Sequence, residues 1–309
     1  MTGSTSKQYD YPWEDTLILA FRDMQWIQAF NNLTAYNKKL REAGDDLDKR
    51  KKVQLEKPKP TLPPLLAKLD GHAENSTADV ISSSKNRYFL LEFKSDRSKI
   101  RSESDKFIHH LMSEIKFGNE NHAPFETLSR NGHFFIYAET PPSDPEEKPT
   151  PDAIAFGEGR ALGLKASPYI DEIRKTPDNE PFAAEKLLHG SIGWEFPDML
   201  AYLETLTSLH GKVTGDGSKS GAGRHPMKVA IATQNGLFWP YSDLSDVLAM
   251  TRIFGQNLAT ALSVVQKRYD NKLNDLKPIA NDPHLLAELI KKKKAAKKPK
   301  PTNSPTRRI

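Results

Sequence analysis

Two carboxylates and an amine lie close together in residues 78–96, A-D-V-I-S-S-S-K-N-R-Y-F-L-L-E-F-K-S-D. The stretch is rich in Val, Ile, Tyr, Phe and Leu and predicts two β-strands, residues 79–83 and 87–94, around a tight turn. Side chains alternate faces along a strand, so Tyr88, Leu90, Glu92 and Lys94 share one face and Phe89, Leu91 and Phe93 take the other. A turn with Lys85 and Asn86 at its tip, or a four-residue loop over residues 84–87, pairs Ser83 with Tyr88 and sets Asp79 opposite Glu92. Two carboxylates then project from one face about 5 Å apart at Cβ, with Lys94 one pleat along. Like charges so placed repel unless a cation sits between them, and a divalent metal is the economical cation. The alternative is a half-buried hairpin whose Glu and Lys face water. Against it, the apolar run over residues 88–91 reads as buried on both sides.

An Asp at the start of one strand and an E-x-K on the next resemble the signature of the PD-(D/E)xK nuclease superfamily. Here the signature is Asp79 with Glu92-Phe93-Lys94, and Ala78 stands where that family often has Pro. The likeness spans about residues 11–139. It implies a restriction-endonuclease-like fold and metal-dependent hydrolysis of phosphodiester bonds, DNA first with RNA open. It makes Asp79, Glu92 and Lys94 the catalytic residues. Asp79, Glu92 and the Phe93 backbone carbonyl would ligate Mg²⁺ or Mn²⁺, hard cations that prefer oxygen. Lys94 would orient a water or offset phosphate charge. The family often carries an acid on its first helix, which adds Glu14 as a further ligand candidate. One exonuclease branch carries a Gln and a Tyr four residues apart on the helix after the E-x-K; this chain does not.

The elements that must position these residues are legible in part. Residues 11–43 predict one long helix, with Pro12 in its first turn, basic residues at its end and Gly44 as its stop. Glu14 falls on the stripe of Leu17, Ile18 and Phe21. Residues 44–60 read as a charged loop with some helix, and residues 61–70 as the lead into a first strand. Asp70, His72 and Glu74 read as a solvated turn, with a further ligand as the alternative. After the hairpin, Ser102 or Ser104 caps an amphipathic helix carrying Phe107, Ile108, Leu111, Met112 and Ile115, with His109 and His110 as surface or packing residues. Residues 133–139, H-F-F-I-Y-A-E, form a strand, and a helix between strands is the crossover a parallel pair needs.

Residues 140–151 form a proline-rich break. Beyond it, residues 153–170 read as weak strands, 182–188 and 198–206 as helical, and 211–226 as a Gly- and Ser-rich loop without phosphate-loop spacing. Residues 227–241 predict a hairpin at Asn235-Gly236, with Ser242 or Asp243 capping a helix to about residue 273. Asp282-Pro283 opens a last short helix.

The chain of 309 residues has no cysteine, which excludes disulfides and zinc-thiolate sites and fits a reducing cytoplasm. No apolar run approaches the roughly 20 residues of a membrane helix, and the N-terminus lacks a signal core. The net charge is +5, yet residues 291–309 hold nine Lys and Arg and no acid, leaving the rest near −4. That tail reads as disordered, with Lys291, Lys292, Lys293, Lys294, Lys297, Lys298, Lys300, Arg307 and Arg308 touching nucleic-acid phosphates. The expectation is therefore an α/β protein. Residues 1–140 form a restriction-endonuclease-like mixed sheet flanked by helices, 141–290 an α+β extension that can complete the same sheet, and 291–309 the tail. The expected protein is a cytoplasmic Mg²⁺-dependent deoxyribonuclease, with a homodimer or a partner protein left open. The competing expectation is a catalytically silent nucleic-acid-binding or assembly subunit on the same fold.

Overall fold

The computed structural model describes residues 13–56, 66–69, 78–84, 87–139, 163–176, 179–215, 226–232, 238–243 and 258–296. Among the described residues an α/β architecture surrounds one mixed sheet. Its strands are β1 (Leu66–Lys68), β2 (Val80–Ser84), β3 (Arg87–Lys94), β4 (His133–Glu139), β5 (Gly163–Pro168) and β6 (Phe182–Ala183), adjacent in that order. Every pair is antiparallel except β3 and β4, which are parallel. A parallel pair cannot be closed by a tight turn. The connection here runs through a 3₁₀ segment (Arg97–Asp105), α3 (Phe107–Glu114) and α4 (Ala123–Gly132). The register of the hairpin is the one its sequence demands: Ser83 opposite Tyr88 and Val80 opposite Leu91.

Alternation along β3 feeds two cores. Phe89, Leu91 and Phe93 pack with Phe134 and Ile136 beneath α1 (Glu14–Glu42), whose Phe21 meets Phe93 edge-on at 6.1 Å between ring centroids. Gln25 of α1 is buried too, and its amide donates to Ser82 Oγ (2.9 Å) and to the Ser83 carbonyl (3.1 Å), so the polar atoms it takes inside are paired. On the opposite face Leu90 and Phe135 join a larger core with α3, α4, α5 (Tyr169–Arg174), α6 (Phe196–Thr214), α7 (Leu258–Ala280) and α8 (Pro283–Ala296). Trp194 anchors that side. Its indole donates to the Leu128 carbonyl at 2.7 Å, its backbone pairs with Tyr88, and a Cβ on Gly132 would sit 2.2 Å from its ring. Only glycine lets α4 pass so close.

Several expectations need correction. The 3₁₀ segment holds Ser102 and Ser104, so neither caps α3; the residue before it is Lys106. Helix α4 was not anticipated. The segment read as strand to residue 170 turns into α5 at Tyr169, and residues 182–183 are strand β6 rather than helix. Ser242 and Asp243 end β8 (Phe238–Asp243), which pairs with β7 (Pro226–Ala232), and the start of the helix expected after them lies outside the described residues. The short helix α2 (Leu47–Leu55) gives the charged loop its helical part, with Asp46 as its cap.

The basic tail also begins later than its composition implies. Helix α8 runs to Ala296 and contains Lys291, Lys292, Lys293 and Lys294. Leu285 and Leu289 are buried against the α3 side of the core, so the apolar face carries the helix on into the lysines. Lys292 donates to Ser113 Oγ at 2.9 Å and pairs with Glu114, and Lys291 pairs with Glu288 at 3.6 Å. The expected capping by Asp282 is present, its carboxylate accepting from His284 and Leu285 N–H. Lys297, Lys298, Lys300, Arg307 and Arg308 lie outside the described residues, as do Pro12, Asp70, His72, Glu74, Asn235 and Gly236.

Candidate functional site

The carboxylates of the β2–β3 hairpin meet the end of the crossover. Asp79 precedes β2, and its Oδ2 accepts from the Phe93 N–H at 2.8 Å, which ties it across the hairpin to β3. Glu92 and Lys94 project from the same face of β3, toward the larger core, and are 0% and 4% exposed. Lys94 Nζ lies 3.1 Å from Glu92 Oε1 and 3.3 Å from Glu14 Oε1. Asp79, Glu92, Lys94 and Glu14 are therefore brought together, with Glu14 at the rim, its side chain still 46% exposed.

Two further residues complete the cluster, and sequence reasoning missed both. Glu103 Oε1 lies 2.8 Å from Lys94 Nζ. Lys106 Nζ sits 2.6 Å from Glu92 Oε1, 2.8 Å from Glu103 Oε2 and 3.4 Å from Asp79 Oδ1. A signal for them existed. In a 3₁₀ helix residues three apart are eclipsed, and Ile100, Glu103 and Lys106 recur at that interval, with Ile100 buried. An apolar residue leading an acid and a base along one edge marks the edge that turns inward.

The electrostatics follow from the count of charges. Asp79, Glu92 and Glu103 outnumber the ammonium groups of Lys94 and Lys106 by one, in a site mostly shut off from water. Burial, then Asp79, pushes Glu92 well above the ordinary carboxyl range despite the two lysines. Burial would lower Lys94 and Lys106, but Glu92, Asp79 and Glu103 outweigh it and hold both above the usual lysine value. Burial raises Glu14, and Lys94 offsets only part of that. Burial would raise Glu103 as well, yet contacts with Glu92, Lys106 and Lys94 leave it below the usual value. The carboxylates hold both ammonium groups charged, and Glu92 gives up a proton much less readily than Glu103.

Carboxylate oxygens are the donor type that a hard divalent cation prefers. Three carboxylates converge on one point, and Glu92 Oε2 is buried with no hydrogen-bond partner. The point is held by Lys106. Accordingly, among the described residues no group of three His, Asp or Glu side chains stands ready to hold a metal ion.

His133 opens β4 beside this cluster, paired in register with Leu90. It is fully buried, stacks on Tyr169 at 4.5 Å and shares a hydrogen bond of 3.0 Å with Tyr202 through Nδ1. Burial, then the charge of Lys106, pushes it down to about 3. In the unfolded chain it titrates near 6.5. Between those values the unfolded state binds a proton that the folded state refuses. Stability is therefore full above about pH 6.5 and falls as the pH drops, by up to about 1.4 kcal/mol per unit. Denaturant unfolding of His133→Gln at neutral and acid pH is expected to show a shallower loss than the parent. An equal loss would place the acid sensitivity elsewhere. His109 and His110 lie on α3, half-buried, and burial holds both below the usual histidine value.

Among the described residues no helix is long and apolar enough to cross a membrane. Comparison with family models, curated proteins and solved structures returns no match for this chain.

Proposed function

We propose that the chain is a metal-dependent nuclease of restriction-endonuclease-like fold that hydrolyses phosphodiester bonds of DNA. The observation that carries this reading is the meeting of Asp79, Glu92 and Lys94 on one sheet face, at strands joined by a crossover to a parallel neighbour. Asp79 and Glu92 would hold Mg²⁺ or Mn²⁺ with the Phe93 carbonyl, Glu103 joins them as a further oxygen donor, and Glu14 stands at the rim. When bound, the cation supplies Lewis acidity toward a water and positive charge toward the scissile phosphate.

The chain's own residues do the rest. The Phe93 N–H fixes the Asp79 carboxylate through Oδ2, and its Oδ1 faces the site, 3.4 Å from Lys106 Nζ. Glu92 must give up its proton before its carboxylate can act as a ligand. Lys94 stays an ammonium through neutral pH, so it acts as a point charge and donor on water or phosphate, not as a base. The basic residues Lys297, Lys298, Lys300, Arg307 and Arg308, outside the described part of the chain, add contacts to phosphates without sequence preference.

The test is incubation of highly purified protein with DNA and Mg²⁺ or Mn²⁺, beside a chelator control and the Asp79→Ala variant. Cleavage that needs the metal and disappears in Asp79→Ala is the expected result. Binding without cleavage across both metals and several substrates would favour the second reading, a silent nucleic-acid-binding subunit. One observation favours that alternative: Lys94 and Lys106 already neutralise most of the carboxylate charge, so the cluster can hold together as a structural ion network.

A further inference from the structure

Helix α1 carries a second apolar face that is exposed among the described residues. With about 3.6 residues per turn, Leu17, Phe21 and Gln25 lie on the side that is buried. Leu19, Trp26, Phe30 and Leu33 lie on the opposite side, flanked by Ile27, and are 45–68% exposed. A helix that is polar outside needs no explanation, whereas one that is apolar on two opposite sides does.

We propose that this face is a homodimer interface in which α1 packs antiparallel on α1 of a second copy, about a two-fold axis near Trp26. The proposal is independent of the nuclease reading. The spacing is self-complementary: Leu19 and Leu33 each lie seven residues from Trp26, two helical turns either way. An antiparallel copy therefore sets Leu19 against Leu33 of the second copy and the reverse, as an isologous interface requires. Charge selects the same direction. On the side of this face the N-terminal end of α1 carries Asp15, in an exposed pair with Lys68, and the C-terminal end carries Arg41; Glu14 and Lys39 lie on the other side, engaged by Lys94 and Glu56. Antiparallel pairing lays the acidic end of one helix along the basic end of the other and opposes the two helix dipoles. Parallel pairing would set acid on acid and base on base. Aromatic anchors at the centre of a patch are the residues that carry association energy, and Trp26 and Phe30 hold that place, with Arg22 lying 5.6 Å over the Trp26 ring.

Light scattering coupled to size exclusion on the full chain is expected to give twice the chain mass at micromolar concentration. The double variant Trp26→Glu and Phe30→Asp is expected to give the monomer mass with an unchanged far-UV spectrum, since both side chains are exposed. The chain has no cysteine, so single cysteines report the geometry cleanly. Under mild oxidation Trp26→Cys is expected to cross-link to itself, while Arg41→Cys is not. A monomeric wild type would overturn the proposal and leave the face to a different protein. So would a double variant that stays dimeric, and Arg41→Cys cross-linking as readily as Trp26→Cys would overturn the antiparallel arrangement.

Discussion

Lys94→Ala is expected to slow DNA cleavage by at least about a hundredfold, the scale seen when one preorganised donor to a developing charge is removed. Its ammonium is held among Glu92, Glu103 and Glu14 within 3.3 Å. It lies on the face of β3 that carries Glu92 and looks toward Asp79, where the proposed phosphate and its attacking water would meet it. The same contacts mean that the substitution is not silent in stability. With the ammonium gone, Glu92 can keep its proton but Glu103 retains only Lys106. Some stability is therefore lost, on the order of 1–3 kcal/mol for a partly compensated buried ion cluster. Three measurements separate the effects: cleavage rate, Mn²⁺ affinity by calorimetry, and thermal midpoint with and without Mn²⁺. A loss of rate beyond the loss of folded fraction, at nearly unchanged metal affinity, is the expected combination. Wild-type cleavage by Lys94→Ala, in a preparation free of contaminating nucleases, would remove the E-x-K from the chemistry and end the enzyme reading of the hairpin.

Lys106→Met is expected to act in the opposite sense on metal and in the same sense on the metal-free fold. In the parent, the Lys106 ammonium stands among Asp79, Glu92 and Glu103, so a divalent cation must displace it before those oxygens can serve. Methionine keeps the length and the packing of the stem but removes the competitor. Mn²⁺ affinity is expected to rise by about tenfold or more, equivalent to about 1.4 kcal/mol. Without metal, three clustered carboxylates are left with Lys94 alone. Breaking a buried pair from one side costs about 3–5 kcal/mol, an upper figure here because Glu92 can stay protonated. The thermal midpoint in chelator should fall, and Mn²⁺ should restore more of it than it adds to the parent. Unchanged or weaker Mn²⁺ binding by Lys106→Met would identify Lys106 as a fixed structural member of the cluster, and with it favour the non-catalytic reading.

The hairpin illustrates what is readable locally. A period of two over residues 87–94 separates Phe89, Leu91 and Phe93 from Leu90, Glu92 and Lys94, and a slip of one residue would send every aromatic to the other face. Register and facing followed from that alone, and the observed pairing of Ser83 with Tyr88 is the one so derived. Helix α1 was legible from its length, its basic end and its glycine stop, and strand β4 from a continuous run of aromatic and apolar residues. Helix α4 was not, because A-P-F-E-T-L-S-R-N-G offers few apolar positions and ends on a glycine. The glycine is explained only by the indole of Trp194, some sixty residues away in sequence.

The sequence by itself determined which face of β3 carries Glu92 and Lys94, that Asp79 lies opposite Glu92, and that a crossover must follow. Each is a property of neighbours along the chain or across one tight turn. Only the tertiary structure decided what neutralises the carboxylates. The 3₁₀ segment folds back over β3 and β4 and delivers Glu103 and, just after it, Lys106, where sequence reasoning had placed a metal alone. It likewise decided that Lys291 to Lys294 continue a docked helix, since burial of Leu285 and Leu289 outweighs the repulsion of the lysines that follow. In both cases the deciding energy is burial against a distant element. Charge placed along a chain states how strongly a counter-charge is needed, and only packing states which residue arrives to supply it.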